Sequence, residues 1–435
     1  MDAPTPQDGE TDPFTLAAQE RWLDLARLGQ EAWNTWAEAE LKKPEDERSP
    51  VDFSDQTIDV SNFEDFVFPA VASFSGATFS AGASFSGSTF SDVAFFSGAT
   101  FSAGAFFVGA TFSDGADFSG ATFSDGADFR GATFSDVAYF SGATFSDVAF
   151  FRGATFSDVA YFRGATFSDV TDFSEATFSG DASFSGATVK SVWQMHGAKV
   201  AGSLTAPSAD IQGHAYFTAI DFRIPPDLVS TAFKQPPSFL GSTFGYPCTN
   251  RLLGDCSVRD GEARFRRLKQ LAADTHDHEL ELRLFAHETK AKRFHSLHAA
   301  DPLHWPGLVL NFAYDWASDF GQSVLRPLGW LLVTVVCALF AYETMTGRPD
   351  MLGRGLIEFS DAAKVAAIAN VFPFAGQAVI GREIMTTGLC PMVEGTPEHL
   401  DCLTALYTIS AAEGIFGLIF LFLIGLGLRN RFRIK

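Results

Sequence analysis

The sequence predicts a β-solenoid that is closed at its N-terminal end by a helix and followed by an α-helical membrane domain. Phe recurs in steps of five and six residues through a long central block, and acidic residues far outnumber basic ones in that same block. Near the C-terminus stand two long apolar runs almost free of charge.

Phe supplies 47 of the 435 residues, and most of them lie in one tract. From Phe74, Phe79, Phe85, Phe90, Phe96, Phe101 and Phe107 the rhythm continues through Phe112, Phe118, Phe123, Phe129, Phe134, Phe140, Phe145, Phe151, Phe156, Phe162, Phe167 and Phe173 to Phe184. Beyond it the same slots hold Val189, Met195, Val200, Ala206, Ile211, Phe217 and Phe222, so the register outlives the low-complexity tract. A fixed internal period of this kind decides the architecture before any local preference does. At about 100° per residue, steps of five and six leave alternate Phe roughly 140° apart on a helix, and no apolar stripe forms. The Gly in each unit costs a helix a further ~1 kcal/mol. A straight strand fails too, because a step of five turns the side chain to the other face. The remaining solution is a chain that turns after every five or six residues and sends one apolar side chain inward each time.

Taken as successive faces, Ala-Thr-Phe-Ser-Asp and Ala-Tyr-Phe-Arg-Gly resemble the pentapeptide-repeat family. The resemblance covers about residues 53–222 and places a solenoid domain at 51–222. It implies a right-handed quadrilateral β-helix, in which a large residue and the small residue two before it point inward and four faces make one coil. Phe156 with Ala154, and Phe162 with Ala160, fit those roles. One extra residue in every second face, Val159 or Gly115 for example, departs from the family pattern and gives a 22-residue coil with one pair of bulged corners. At about 4.8 Å per coil, the block makes about eight coils and a rod on the order of 37 Å long.

Asp114, Asp125, Asp136, Asp147, Asp158 and Asp169 recur every eleven residues and fall into two columns on opposite faces. They suit an acidic binding or mimicry surface. They also suit corners, where a short carboxylate bonds neighbouring amides, and turn chemistry favours this second role. Residues 51–222 carry 19 acids against 5 bases, the larger part of a net charge of −21. That excess bears on solubility and choice of partner. It opposes direct nucleic-acid binding, since nothing in the rod neutralises phosphates, and it disfavours contact with an anionic membrane surface.

Residues 1–50 are expected to form an N-terminal tail and a capping helix. MDAPTPQDGETDP is acidic, has no apolar core and does not fit a secretory signal. Asp12 and Pro13 fit a helix start, and Trp22, Leu25, Leu28, Trp33 and Trp36 supply apolar anchors on the helix that follows. The stretch QEAWNTW resembles the Trp-Asn-x-Trp helix that precedes many pentapeptide-repeat domains. Its pair Trp33 and Trp36 suits a partner surface or, more simply, a cover for the first coil.

Residues 223–326 are expected to hold an exit coil, a Pro-punctuated linker and cytoplasmic or interfacial helices. Over 259–295 the periodicity predicts two helices, or one kinked near Thr275, standing between rod and membrane. Cys248 and Cys256 lie upstream of His276, His278, His287, His295, His298 and His304, but the spacing matches no zinc pattern and no HExxH occurs. No cofactor is implied, and no phosphate loop or nucleophile elbow points to an enzyme.

The membrane domain, 327–435, is expected to contain transmembrane helices at about 327–345 and 405–428. Between them, residues 366–380 are apolar but short and broken by Pro373, which suits an interfacial or re-entrant segment. With two spans, the positive-inside rule places Arg429, Arg431, Arg433 and Lys435, and with them the rod, in the cytoplasm. Cys390 and Cys402 then lie outside, where a disulfide between them is favoured. Glu413 falls about 24 Å along the helix from Arg429, inside a hydrocarbon core ~30 Å thick. A carboxylate there faces a bundle interior, water or a partner, or snorkels. Ser410 and Gly414 form a small-xxx-small pair.

The order of repeats, helical linker, Tyr314, Asp319-Phe320-Gly321, Arg326-Pro327 and a basic tail resembles membrane-bound bacterial pentapeptide-repeat proteins of the inner membrane. The expected function is a non-enzymatic scaffold that presents the acidic rod to an unknown cytoplasmic protein, with membrane lipid as the other partner and homo-oligomerisation expected. One alternative is a channel-like oligomer lined in part by Glu413, without the Thr-Val-Gly-Tyr-Gly filter of potassium channels. A lesser one follows from soluble pentapeptide-repeat proteins that resemble duplex DNA and bind type II topoisomerases.

Overall fold

Each face of the repeat contributes one two-residue strand, and each strand pairs in parallel with its equivalents one coil before and one coil after. Thr111 and Phe112 lie between Thr89-Phe90 and Thr133-Phe134, while Ala116 lies between Ala94 and Ala138. The outcome is four parallel sheets of eight, seven, nine and nine strands. This computed structural model describes residues 21–245, 260–298, 305–345, 363, 364, 366, 367 and 397–432, and it divides into two units, 1–288 and 289–435.

In the central coils most faces follow the pattern Ala-x-Phe, with Ala and Phe inward and the middle residue between them on the outer side. Ala110 and Phe112 are fully buried with Thr111 between them, as are Ala116 and Phe118 with Asp117 between them. Equivalent Phe rings of successive coils stack in parallel planes; the Phe112 and Phe134 centroids are 4.8 Å apart. Rings of neighbouring columns meet edge to face, as Phe118 and Phe129 do at 5.4 Å and 87°. Both arrangements suit the ring quadrupole, and each buried Phe contributes roughly 1.5–3 kcal/mol gross.

The two step lengths make two kinds of corner. Within a five-residue step the chain turns on a residue with positive φ, supplied by Gly at most coils, for example Gly109 at 66° and Gly120 at 65°. Glu175 (61°) and Ala219 (56°) hold the same conformation without the freedom of Gly. Within a six-residue step the extra residue widens the corner between strands, at Gly115 for example. The first coil lacks one extra residue, so Val51 pairs with Ala72 and Thr57 with Thr78, an offset of 21 rather than 22.

The sheets run beyond the expected limit at Phe222. Strands Ala232–Phe233 and Thr243–Phe244 complete the two nine-stranded sheets. Leu228, Phe233, Phe239 and Phe244 continue the steps of six, five, six and five, and Leu228 and Phe239 are buried. In the Pro pairs of this segment, Pro226 and Pro237 fill the inward slots two before Leu228 and Phe239, and both are buried.

Helix α1 (Gln30–Leu41) covers the first coil. Trp33 is fully buried, lies 5.2 Å from Phe66, and donates its Nε1 proton to the Val67 carbonyl at 2.8 Å. The Asn34 side chain behaves as a strand stub: its Nδ2 donates to the Asp65 carbonyl and its Oδ1 accepts from the Val67 amide, at 2.9 and 3.0 Å. Trp36 packs behind, 5.1 Å from Trp33 and 4.9 Å from Trp22. Leu28 departs from the expected anchor set and is 73% exposed, because the helical segment at 21–27 ends there and Gly29, at φ 89°, redirects the chain. The expected start at Asp12 and Pro13 lies outside the described residues.

The C-terminal end of the rod is covered by α2 (Gly261–Asp274), which the sequence placed in a linker. Arg267 donates to the Thr231 carbonyl at 2.9 Å, in place of the amide that a further coil would bring. Arg264 donates to the Pro225 carbonyl, also at 2.9 Å. After Thr275 the chain continues in α3 (His278–His298), so the kink near Thr275 separates two helices.

The second unit contains α4 (Trp305–Ser318), α5 (Leu325–Met345) and α6 (Pro397–Phe432). Helices α5 and α6 are antiparallel: Leu331 packs with Phe420 and Leu423 near one end, and Ala338 and Tyr342 pack with Leu406 near the other. The buried seam of α6 is Leu406, Glu413, Gly417, Phe420, Leu423 and Gly427. A Cβ on Gly427 would sit 3.2 Å from the Ser323 carbonyl oxygen, so the helix passes close to the backbone that leads into α5. Segments 325–342 and 404–429 are long and apolar enough to cross a membrane. Of the segment 366–380 only Ala366 and Ala367 are described, both buried beside Tyr342.

Candidate functional site

The interior of the solenoid is filled by stacked rings, so its chemistry is on the outside. Phe112, Phe118, Phe123, Phe129, Phe134, Phe140, Phe145, Phe151, Phe156, Phe162, Phe167 and Phe173 are all at most 1% exposed. The faces differ in pairs. Two opposite faces present Thr ladders, Thr89, Thr111, Thr133, Thr155 and Thr177 on one, and Thr78, Thr100, Thr122, Thr144, Thr166 and Thr188 on the other. The other two alternate aromatic and acidic side chains, with Phe106, Asp128, Phe150 and Asp172 along one and Phe95, Asp117, Tyr139 and Tyr161 along the other. Phe106 is 44% and Tyr139 41% exposed, and Tyr139 stacks on Tyr161 at 5.4 Å. Arg130 joins this surface by pairing with Asp128 at 2.5 Å and lying over the Phe150 ring, and the Asp128 bond raises its pKa. The signal for these faces was in the sequence: the residue between Ala and Phe is Thr in five-residue steps and varied in six-residue steps.

The six Asp occupy the widened corners, on one diagonal of the square. Each carboxylate accepts the next residue's amide: Asp114 from Gly115, Asp125 from Gly126, Asp136 from Val137, Asp147 from Val148, Asp158 from Val159 and Asp169 from Val170, at 2.7–2.9 Å. These bonds make the side chains corner ties, and the free edges of the carboxylates still line two acidic columns.

The model for pentapeptide repeats (9 copies) matches residues 63–111, 85–133, 107–155 and 151–193. Residues 63–193 of the solenoid carry pentapeptide repeats. A search of curated proteins and a search of solved structures found no match to the chain.

Outside the pentapeptide repeats, the second unit holds a buried polar node that its sequence alone did not assemble. Glu413 is 4% exposed on the α5-facing side of α6. Its Oε2 accepts from the Tyr342 hydroxyl at 2.8 Å, and Ser410 Oγ lies 3.1 Å from the same hydroxyl. Glu413 therefore faces a helix of its own chain. Ser410 serves this node. Cys402 is disulfide-bonded; Cys390, its expected partner, lies outside the described residues, as do Cys248 and Cys256.

Proposed function

We propose that this protein is a non-enzymatic membrane anchor that presents an acidic pentapeptide-repeat rod to a protein partner in the cytoplasm. The observation that carries this reading is the filled core: with every inward slot occupied by a packed side chain, a ligand finds only the four outer faces. Two of those faces combine exposed aromatic rings with carboxylates, a surface suited to a partner that brings Arg or Lys together with apolar side chains. The antiparallel α5 and α6 supply the anchor. The basic end of α6 and the disulfide-bonded Cys402 lie toward opposite ends of that helix, which supports a cytoplasmic rod and C-terminus with the Cys402 end in an oxidising compartment.

A channel-like homo-oligomer is the second reading. Glu413 weakens it, because its hydrogen bond to Tyr342 turns the carboxylate toward its own helix pair. The mass of the full-length protein in nanodiscs tests both. A monomer removes the channel, since two helices enclose no pore, and a closed ring of several subunits favours it. The scaffold reading itself fails if crosslinking in cells with a photoreactive group at Phe106 or Tyr139 captures no protein.

A further inference from the structure

Helix α4 is inside out for a water-soluble protein. Its exposed stripe is Val309, Leu310, Ala313 and Trp316, spaced as one face of a helix, with Val309, Leu310 and Trp316 exposed by 61%, 70% and 62%. The polar groups turn the other way. Asp315 and Asp319 meet Lys290 at 3.7 and 3.4 Å, and Arg326 reaches Asp319 at 3.7 Å and the Asp315 carbonyl at 3.4 Å. Ser318 is buried, donating to the Tyr314 carbonyl and accepting from the Gly321 amide.

We propose that α4 lies in the membrane–water boundary with this stripe against lipid, and so fixes the depth at which α5 and α6 cross. The proposal rests on reading α5 and α6 as spanning helices. Three features select lipid as the occupant. The stripe is continuous with the outward face of α5, because the Trp316 and Trp330 rings are only 3.7 Å apart and Leu325, Leu328 and Leu332 extend the apolar surface from there. A Trp pair at the start of a spanning helix sits where indole is favoured, at the headgroup level. Finally, Lys290, Arg326 and Arg429 belong to the same end of the unit, where cations complement anionic headgroups. The helix then lies in the interface plane while its carboxylates stay bound to the Lys290 and Arg326 cations.

The test uses the full-length protein with Cys248, Cys256 and Cys337 replaced by Ser. Leu310→Cys, Trp316→Cys and, on α5, Leu332→Cys are each labelled with an environment-sensitive nitrobenzoxadiazole. The probe membrane is a nanodisc of phosphatidylcholine and phosphatidylglycerol carrying nitroxide lipids, spin-labelled either near the headgroup or deep in the chain. The proposal expects blue-shifted emission at 310 and 316, quenched several-fold more by the shallow nitroxide, and quenching at 332 that favours the deeper one. Water-like emission at 310 and 316 beside a lipid-quenched 332 overturns the placement of α4 and leaves the spanning helices standing. Blue-shifted emission that neither nitroxide quenches also overturns it, because a second copy or the rest of the chain then covers the stripe. A water-like signal at 332 removes the membrane reading and this proposal together. Val309→Cys, equally exposed, provides an independent check if either α4 variant folds poorly.

Discussion

The Tyr342 hydroxyl donates to Glu413 Oε2 across 2.8 Å, joining α5 to α6 at a carboxylate buried in their seam. A hydrogen bond of this kind between apolar helices holds them in a single register. Glu413→Gln keeps an acceptor in place and is expected to leave thermal stability in detergent nearly unchanged. Glu413→Leu strands the Tyr342 hydroxyl and is expected to cost about 1–3 kcal/mol. Equal losses in the two variants would show that the charge, and not the hydrogen bond, does the holding.

Glu40 predicts a pH dependence at the N-terminal cap. Its carboxylate accepts from Lys43 Nζ at 2.7 Å and from the Ser49 amide at 2.9 Å, and the bond to Lys43, followed by that to Ser49, holds its pKa below the ordinary value despite burial. A folded pKa below the unfolded one means stability that is present above about pH 4.3 and is lost as pH falls through the folded value. Melting curves across the acid range should show a steeper loss for the native chain than for Glu40→Gln, and parallel curves would refute the assignment.

The corner ties separate geometry from charge. Asp125→Ala removes the acceptor for the Gly126 amide and is expected to destabilise by about 0.5–1.5 kcal/mol. Asp125→Asn keeps an acceptor while relieving repulsion along the column, so its melting temperature should match or exceed the native one at low salt. That advantage should shrink as salt is added.

Trp193 and Ala206 are a volume exchange within the core. Where Ala206 interrupts the Phe140, Phe162 and Phe184 column, the Trp193 ring lies 4.7 Å from Phe184 and 5.0 Å from Phe217. Trp193→Ala should cost about 3–5 kcal/mol, and Ala206→Phe alone should overpack the site by roughly 1–3 kcal/mol. Together the two restore the pattern of the other coils, so the double variant should recover most of the loss. Additive losses in a denaturant titration would disprove the exchange.

Most of the solenoid was legible because each inward slot repeats the same physical demand, and an alternation of five and six admits few other folds. Legibility failed where that demand was met by different residues. Leu228, Phe233, Phe239 and Phe244 kept the steps, but the Pro pairs beside them suggested a linker. Arg264 and Arg267 had the appearance of a solvated helix face, although their guanidinium groups close the final coil. Leu28 fitted a continuous amphipathic helix and lost its place because Gly29 reverses the backbone. The Tyr342 and Glu413 contact required knowing which turn of α5 meets which turn of α6, and no local pattern encodes that pairing. The apolar stripe of α4 was hidden by the Asp and Ser residues interleaved with it.

Because each coil touches only the coils beside it and repeats at 22 residues, the distance between the α1 cap and the α2 cap is a whole number of equal steps. Removing residues 107–128 would join chemically equivalent positions and shorten that distance by one ring spacing, 4.8 Å, leaving both caps in register. Removing eleven would instead rotate everything downstream by half a turn, putting a Thr ladder under its opposite and the Arg caps against the wrong edge. The repeat is thus a ruler that evolution can lengthen or shorten only by whole graduations.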